Sequence, residues 1–252
     1  MVNGLDLFAE YFKDHRDCYV IIGGTACDYF LTKADHSFRL TKDIDVVILL
    51  EVLNKDFNDV FKRFVADAGY VHVKKSTGEK QFYRFEKPQN KNFPLMIELF
   101  SKKPDVLDIE IGQICVPLTQ DDEINSLSAI LLNQEYYDMI KNNCTFESGV
   151  TFIQKEIIIP LKARAYIDNI SKKESGVFVK DKDIKKHRGD IFRIADSIAP
   201  AERFEIPEDV KKDLRICLEM LKGVDMKMSD LSVSTNKDTL IDNIIKIYNL
   251  DK

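Results

Sequence analysis

The stretch Arg39-Leu40-Thr41-Lys42-Asp43-Ile44-Asp45-Val46-Val47-Ile48-Leu49-Leu50 sets two carboxylates, one residue apart, at the mouth of an apolar run. Successive strand residues face opposite ways, so as a strand this segment projects Asp43 and Asp45 together and sends Ile44 to the other side. Paired carboxylates at the edge of a buried strand repel each other and carry a desolvation cost, unless a divalent cation lies between them. Hard oxygen ligands suit Mg²⁺ or Mn²⁺, and a paired arrangement suits two-metal phosphoryl chemistry. The plainer reading of the spacing is a polar strand entry with two solvated aspartates. A second pair, Asp181 and Asp183, fits that description, because it is flanked by lysines at a helix start and complements the helix dipole.

Upstream, Cys18 to Ile22 reads as a continuous apolar strand, closed by Gly23-Gly24, with Thr25 to Leu31 forming a short helix. A Gly-Gly-Thr turn between strand and helix offers backbone N–H groups and a hydroxyl to a phosphate, and Gly23, Gly24 and Thr25 are candidates for that role. Glycine is also what a tight strand-to-helix turn needs in any case. Downstream, Leu95 to Phe100 reads as a buried strand whose one charged residue is Glu98, the expected third carboxylate. Asp105, Asp108 and Glu110 compete with it from polar or turn-like surroundings.

The rest of the chain divides in two. From Asn54, Phe57, Val60, Phe61, Phe64 and Val65 recur at helical spacing up to Gly69, which predicts an amphipathic helix on a sheet. Lys80 to Glu86 and Leu95 to Phe100 form an expected hairpin, and Ile109 to Val116 a possible edge strand. Beyond Pro117 nearly everything reads helical: a helix from Thr119 through Leu131 with a capping-box-like start, then Thr151 to Ile170, Lys182 to Ile198, Pro207 to Leu221 and Lys237 to Leu250. Pro160 should kink or break the second of these. The expectation is an α/β (α+β) mixed-sheet domain over residues 1–117, followed by an α-helical domain over 118–252.

Composition excludes several classes. A net charge of −5, from 37 basic and 42 acidic residues, permits a nucleic-acid partner only through local clustering of Lys and Arg. Five cysteines without a Cys-x-x-Cys pair read as free thiols, with neither a disulfide framework nor a thiolate zinc site. His36 and His187 have no metal-spaced partner and are expected at the surface, without a role. The N-terminus lacks a signal-peptide pattern and no window approaches a membrane span, so the expected location is the cytoplasm.

Gly-Gly-Thr after strand one, then Arg39-x-Thr41-x-Asp43-Ile44-Asp45, then an apolar strand carrying Glu98, resembles the DNA polymerase β-like nucleotidyltransferase superfamily. The wording is closest to AbiEii toxin-like nucleotidyltransferases of abortive-infection and toxin-antitoxin systems. The resemblance covers residues 18–100 well and the helical half more faintly. There it suggests Lys162, in Pro160-Leu161-Lys162-Ala163-Arg164, as a phosphate contact, and Asp190 as the later acidic position. Two departures stand out: Thr32 to Phe38 lengthens the interval before the aspartates, and Arg188-Gly189-Asp190 replaces the usual Lys-Asp.

Together these features imply transfer of a nucleoside monophosphate from an NTP to an acceptor hydroxyl. Asp43, Asp45 and Glu98 would hold Mg²⁺ or Mn²⁺, with the Gly-Gly-Thr turn and Lys162 on the phosphates. Arg39 and Thr41 either reach a phosphate or brace the aspartate loop. The acceptor is open between an RNA such as tRNA, a protein, and a small molecule, and the basic stretches around Lys172, Lys180 to Arg188 and Lys211 are candidates for an RNA-facing surface. A toxin would also have a cognate antitoxin. The alternative is a nucleotide-binding or interaction protein that keeps the fold without turnover. A metal-dependent phosphohydrolase fits less well, because it would want the His-rich ligand set that this chain lacks.

Overall fold

The computed structural model describes residues 2–36, 38–39, 41–49, 55–75, 81–101, 115–117 and 133–251. Helix α1 (Leu5–Tyr11) precedes strand β1 (Tyr19–Ile22), whose four residues are all buried. Gly23 follows at φ +68°, a left-handed conformation that turns the chain at once into α2 (Gly23–Lys33). Strand β2 (Asp43–Ile48) returns antiparallel to β1, with Asp45 opposite Ile22.

Helix α3 (Lys55–Ala68) has the predicted apolar stripe. Phe57, Phe61 and Phe64 are buried, and together with Phe8, Phe12 and Tyr19 they build an aromatic core. Phe8 meets Tyr19 edge-on, with ring centroids 5.3 Å apart. The next three strands are β3 (Tyr70–Lys75), β4 (Gln81–Pro88) and β5 (Met96–Ser101). The expected β4–β5 hairpin is antiparallel, and β5 runs parallel to β2. Strand β3, not anticipated because its Val-His-Val-Lys run is short and mixed, pairs antiparallel with β4. Strand β6 (Cys115–Pro117) closes one edge of the sheet against β3. The expected helix from Thr119 to Leu131 lies outside the described residues, as do Asp105, Asp108 and Glu110.

The segment read as nearly all helical contains two strands. After α4 (Gln134–Asn142), capped by the Asn133 side chain, come β7 (Cys144–Glu147) and β8 (Val150–Ile153). They are joined through Ser148 and Gly149, both at positive φ, as a tight hairpin turn requires. Strand β8 pairs parallel with β1, giving an eight-stranded sheet in the order β6-β3-β4-β5-β2-β1-β8-β7. The sheet thus continues past residue 117, and Thr151 to Ile153 are strand where a helix was expected.

The remainder is helical: α5 (Lys155–Glu174), α6 (Asp181–Asp196), α7 (Glu208–Lys222) and α8 (Lys237–Ile247). Helix α5 runs through Pro160 unbroken. The Glu156 carbonyl, which the missing N–H of Pro160 would have bonded, accepts the Tyr248 hydroxyl instead. Helices α5 and α6 pack on each other and on α2, so the helical region lies against the Gly23–Gly24 turn. Among the described residues, no helix is long and apolar enough to cross a membrane.

Candidate metal centre

Sheet register assembles the carboxylates. Asp43 and Asp45 share a face of β2, and Glu98 is the direct neighbour of Asp45 on β5. Ligand oxygens of Asp43, Asp45 and Glu98 all lie within 4.8 Å of one another. Asp45 and Glu98 are each only 5% exposed, so their mutual repulsion acts in a poorly solvated place. Three hard oxygen donors converging in this way fit a divalent cation such as Mg²⁺ or Mn²⁺.

Each aspartate is held from several sides. Asp43 Oδ1 accepts the Thr41 hydroxyl at 2.9 Å and the Lys42 N–H at 3.2 Å. The Thr25 hydroxyl donates to the Asp43 main-chain carbonyl at 2.5 Å, tying α2 to β2. The Gly24 N–H donates to Asp45 Oδ2 at 3.4 Å. At Gly23 the approach is closer still, since a Cβ there would sit 1.7 Å from the same oxygen. The Gly-Gly-Thr turn therefore faces the aspartates directly.

Glu98 has a partner that the sequence reading missed. Arg84, its neighbour on β4, donates to Glu98 Oε1 from Nε at 2.6 Å and from Nη2 at 2.5 Å. Burial pushes the Glu98 carboxyl well above the usual range. Asp45 and Asp43 push the same way, and Arg84 opposes them without prevailing. The signal was available: pairing Lys80–Glu86 with Leu95–Phe100 as a hairpin puts an arginine beside the glutamate.

A second cluster adjoins the first at Gly24. Asp190 on α6 is fully buried and accepts from Arg39 Nη2 at 3.0 Å and Nε at 3.4 Å, with Lys162 Nζ at 3.3 Å and Arg193 Nη1 at 3.4 Å. Burial alone would raise the Asp190 carboxyl, but Lys162 and Arg39 overcome that and hold it below the usual range. Arg39 also lies over the Phe38 ring at 4.8 Å, and Arg193 approaches the same ring at 6.0 Å. A Cβ on Gly24 would meet Thr41 Oγ1 at 2.7 Å and Arg39 Nη2 at 3.5 Å, so little separates the two clusters.

Arg39, Thr41, Lys162 and Asp190 are thus brought to the Gly-Gly-Thr turn, with Arg39 and Lys162 bonded to Asp190. His187, expected at the surface, is 2% exposed on the inner side of α6. The helical period explains it: residues 184, 187, 191 and 194 form the buried stripe of that helix. The four cysteines with described side chains, Cys18, Cys27, Cys144 and Cys217, are free thiols.

No protein-family model matches the chain, and no curated protein matches it significantly. Among solved structures, an antigenic nucleotidyltransferase-like protein from Paracoccidioides brasiliensis is similar over 93% of each chain, at 13% identity and a TM-score of 0.42. Function is therefore read from the geometry of the site itself.

Proposed function

We propose that the protein is a metal-dependent nucleotidyltransferase that moves a nucleoside monophosphate from an NTP to an acceptor hydroxyl. One observation carries this reading: three carboxylates from adjacent strands converge within 4.8 Å, and a Gly-Gly-Thr turn at a helix start opens onto them. Asp43, Asp45 and Glu98 hold Mg²⁺ or Mn²⁺, which when bound neutralises phosphate charge and lowers the pKa of the attacking hydroxyl. Gly23, Gly24 and Thr25 border the place where the triphosphate lies. Arg39, Lys162 and Arg193 surround a single carboxylate, so that cluster leaves net positive charge beside the turn. Thr41 fixes the Asp43 carboxylate. Catalysis of this kind is mostly positioning and electrostatic stabilisation.

The carboxylate cluster is consistent with the superfamily that the sequence motifs resemble; on that resemblance alone, the acceptor is an RNA, a protein or a small molecule, and a toxin-like member would have a cognate antitoxin. The test is incubation with each labelled NTP, Mg²⁺ and total RNA or cell extract. Wild type should label an acceptor, and Asp43→Asn with Asp45→Asn should label none. Labelling that survives both substitutions would overturn the site. NTP binding without any labelling would instead mark a nucleotide-binding module.

A further inference from the structure

The connection between α5 and α6 holds exposed apolar side chains on a fixed backbone. Phe178 is 77% exposed and Val177 is 44% exposed, whereas the next residue, Val179, is buried. Gly176, at φ +81°, donates to the Lys173 carbonyl at 3.1 Å, and Val177 donates to the Lys172 carbonyl at 2.9 Å, the paired bonds of a Schellman helix end. These bonds and the buried Val179 hold the turn from both sides, so Phe178 projects from a set position. Among the described residues, the other exposed large apolar side chains are Val71, Leu95, Phe146 and Ile216, each on a different segment. Val177 and Phe178 alone are adjacent in the chain.

Lysines flank that pair from both helices. Lys172 and Lys173 lie in the last turn of α5, Lys180 caps α6, and Lys182 and Lys185 lie in its first turns. Part of this is ordinary helix chemistry, since Lys172 and Lys173 complement the negative end of α5 and Lys173 pairs with Asp181 at 2.6 Å. Lys180 and Lys182 are different. They are exposed at the positive end of α6, where the helix dipole disfavours them, so helix stability does not account for them. Residues 172 to 185 hold five lysines against three acidic residues, so the tip is locally +2 in a protein of net charge −5.

We propose that this tip docks reversibly on an anionic lipid surface, with Val177 and Phe178 entering the boundary between headgroups and acyl chains and the flanking lysines at headgroup level. An apolar wedge with cations around it matches that boundary, because lysine stems lie along apolar surface while their ammonium groups reach lipid phosphates. Apolar insertion and basic charge are each marginal alone, and stable association takes both. The acidity of the chain as a whole turns its other faces away from an anionic surface, which fixes the orientation. Two adjacent apolar residues offer far less than the roughly 800 Å² per partner of a stable protein interface. A single-stranded nucleic acid stacks its bases on successive aromatic rings, and the tip presents one. A bilayer asks for neither. The contact is peripheral, since among the described residues no helix is long and apolar enough to cross a membrane. It needs neither NTP nor metal and stands independently of the nucleotidyl-transfer reading.

The chain contains no tryptophan, so Phe178→Trp places a sole fluorescent reporter at the tip. Its emission in the full chain is measured against vesicles of phosphatidylserine with phosphatidylcholine, vesicles of phosphatidylcholine alone, and an unstructured RNA. A blue shift is expected on the anionic vesicles, much smaller on phosphatidylcholine alone and reversed by salt. In co-sedimentation, Phe178→Ala should bind the anionic vesicles about tenfold more weakly. Lys180→Gln with Lys182→Gln should bind them about thirtyfold more weakly. All three positions are exposed, so these variants should melt with wild type and the losses report the surface. The absence of a blue shift on anionic vesicles would overturn the proposal, as would equal shifts on the two kinds of vesicle. A shift with RNA and none with vesicles would overturn it in favour of a nucleic acid. Vesicle binding retained in both co-sedimentation variants would place the lipid contact elsewhere on the chain and overturn it as well.

Discussion

The Tyr248 hydroxyl donates a hydrogen bond to the Glu156 carbonyl across 92 residues of chain, at the one point where Pro160 withdraws the helical donor. Tyr248 is fully buried, and burial pushes its phenol well above the usual range, so the group stays a neutral donor. Removing that hydroxyl leaves a buried carbonyl unsatisfied, which costs about 1–3 kcal/mol. Tyr248→Phe should lose that much in urea denaturation. In a Pro160→Ala background the same substitution should cost less, because the helix then supplies its own N–H; equal costs in both backgrounds would disprove the compensation.

Gly23→Ala should remove metal binding as well as stability. The position is left-handed, which costs a non-glycine residue about 1–2 kcal/mol. In addition, the new methyl would collide with Asp45 Oδ2, so the carboxylate has to leave its place beside Glu98. Gly176→Ala is the control, because it shares the positive φ but meets nothing within 4 Å. Titration with Mn²⁺ should show lost affinity in the first variant and wild-type affinity in the second.

Asp190→Asn should be among the most damaging polar substitutions. It leaves Lys162, 6% exposed, and Arg39 without their shared carboxylate, and breaking a buried pair of this kind costs about 3–5 kcal/mol. The folded Asp190 value lies below the unfolded one, so its stability is present above about pH 4 and drains away as pH falls through the depressed value. The gap between wild type and variant in guanidinium denaturation should therefore be full at pH 7 and shrink progressively below pH 4. A gap independent of pH would mean that Asp190 acts by shape and not by charge.

These relationships differ in how far they could be read from residues alone. Strand periodicity put Asp43 and Asp45 on one face, and Glu98 stood out as a lone charge in an apolar run; sheet register then made Asp45 and Glu98 neighbours. The hairpin from Cys144 to Ile153 was overlooked because four-residue strands carry little periodicity, although Ser148-Gly149 between Thr-Phe alternations is a turn signal. The Asp190 cluster was invisible as a cluster: Arg39 and Asp190 are 151 residues apart, and only the packing of α5 and α6 on α2 brings them together. Pro160 was expected to kink or break its helix, yet α5 runs on unbroken, and the carbonyl left without its helical donor is bonded by a tyrosine that no local pattern connects to it.

Arg84 should govern how strongly a divalent cation stabilises the fold. It is the described cation bonded to Glu98, and it partly offsets a carboxylate that Asp45 and Asp43 already disfavour. Arg84→Met removes that offset and keeps the volume, so the metal-free protein should lose stability in thermal melts with EDTA. A divalent cation at the triad supplies the missing positive charge. Mn²⁺ at a hundredfold excess over its dissociation constant stabilises any protein by about 2.7 kcal/mol. At a fixed Mn²⁺ concentration, the rise in melting temperature should therefore be larger in Arg84→Met than in wild type, and absent in Asp43→Asn and Asp45→Asn. A smaller rise in Arg84→Met would mean that Arg84 positions Glu98 for the cation and does not compete with it.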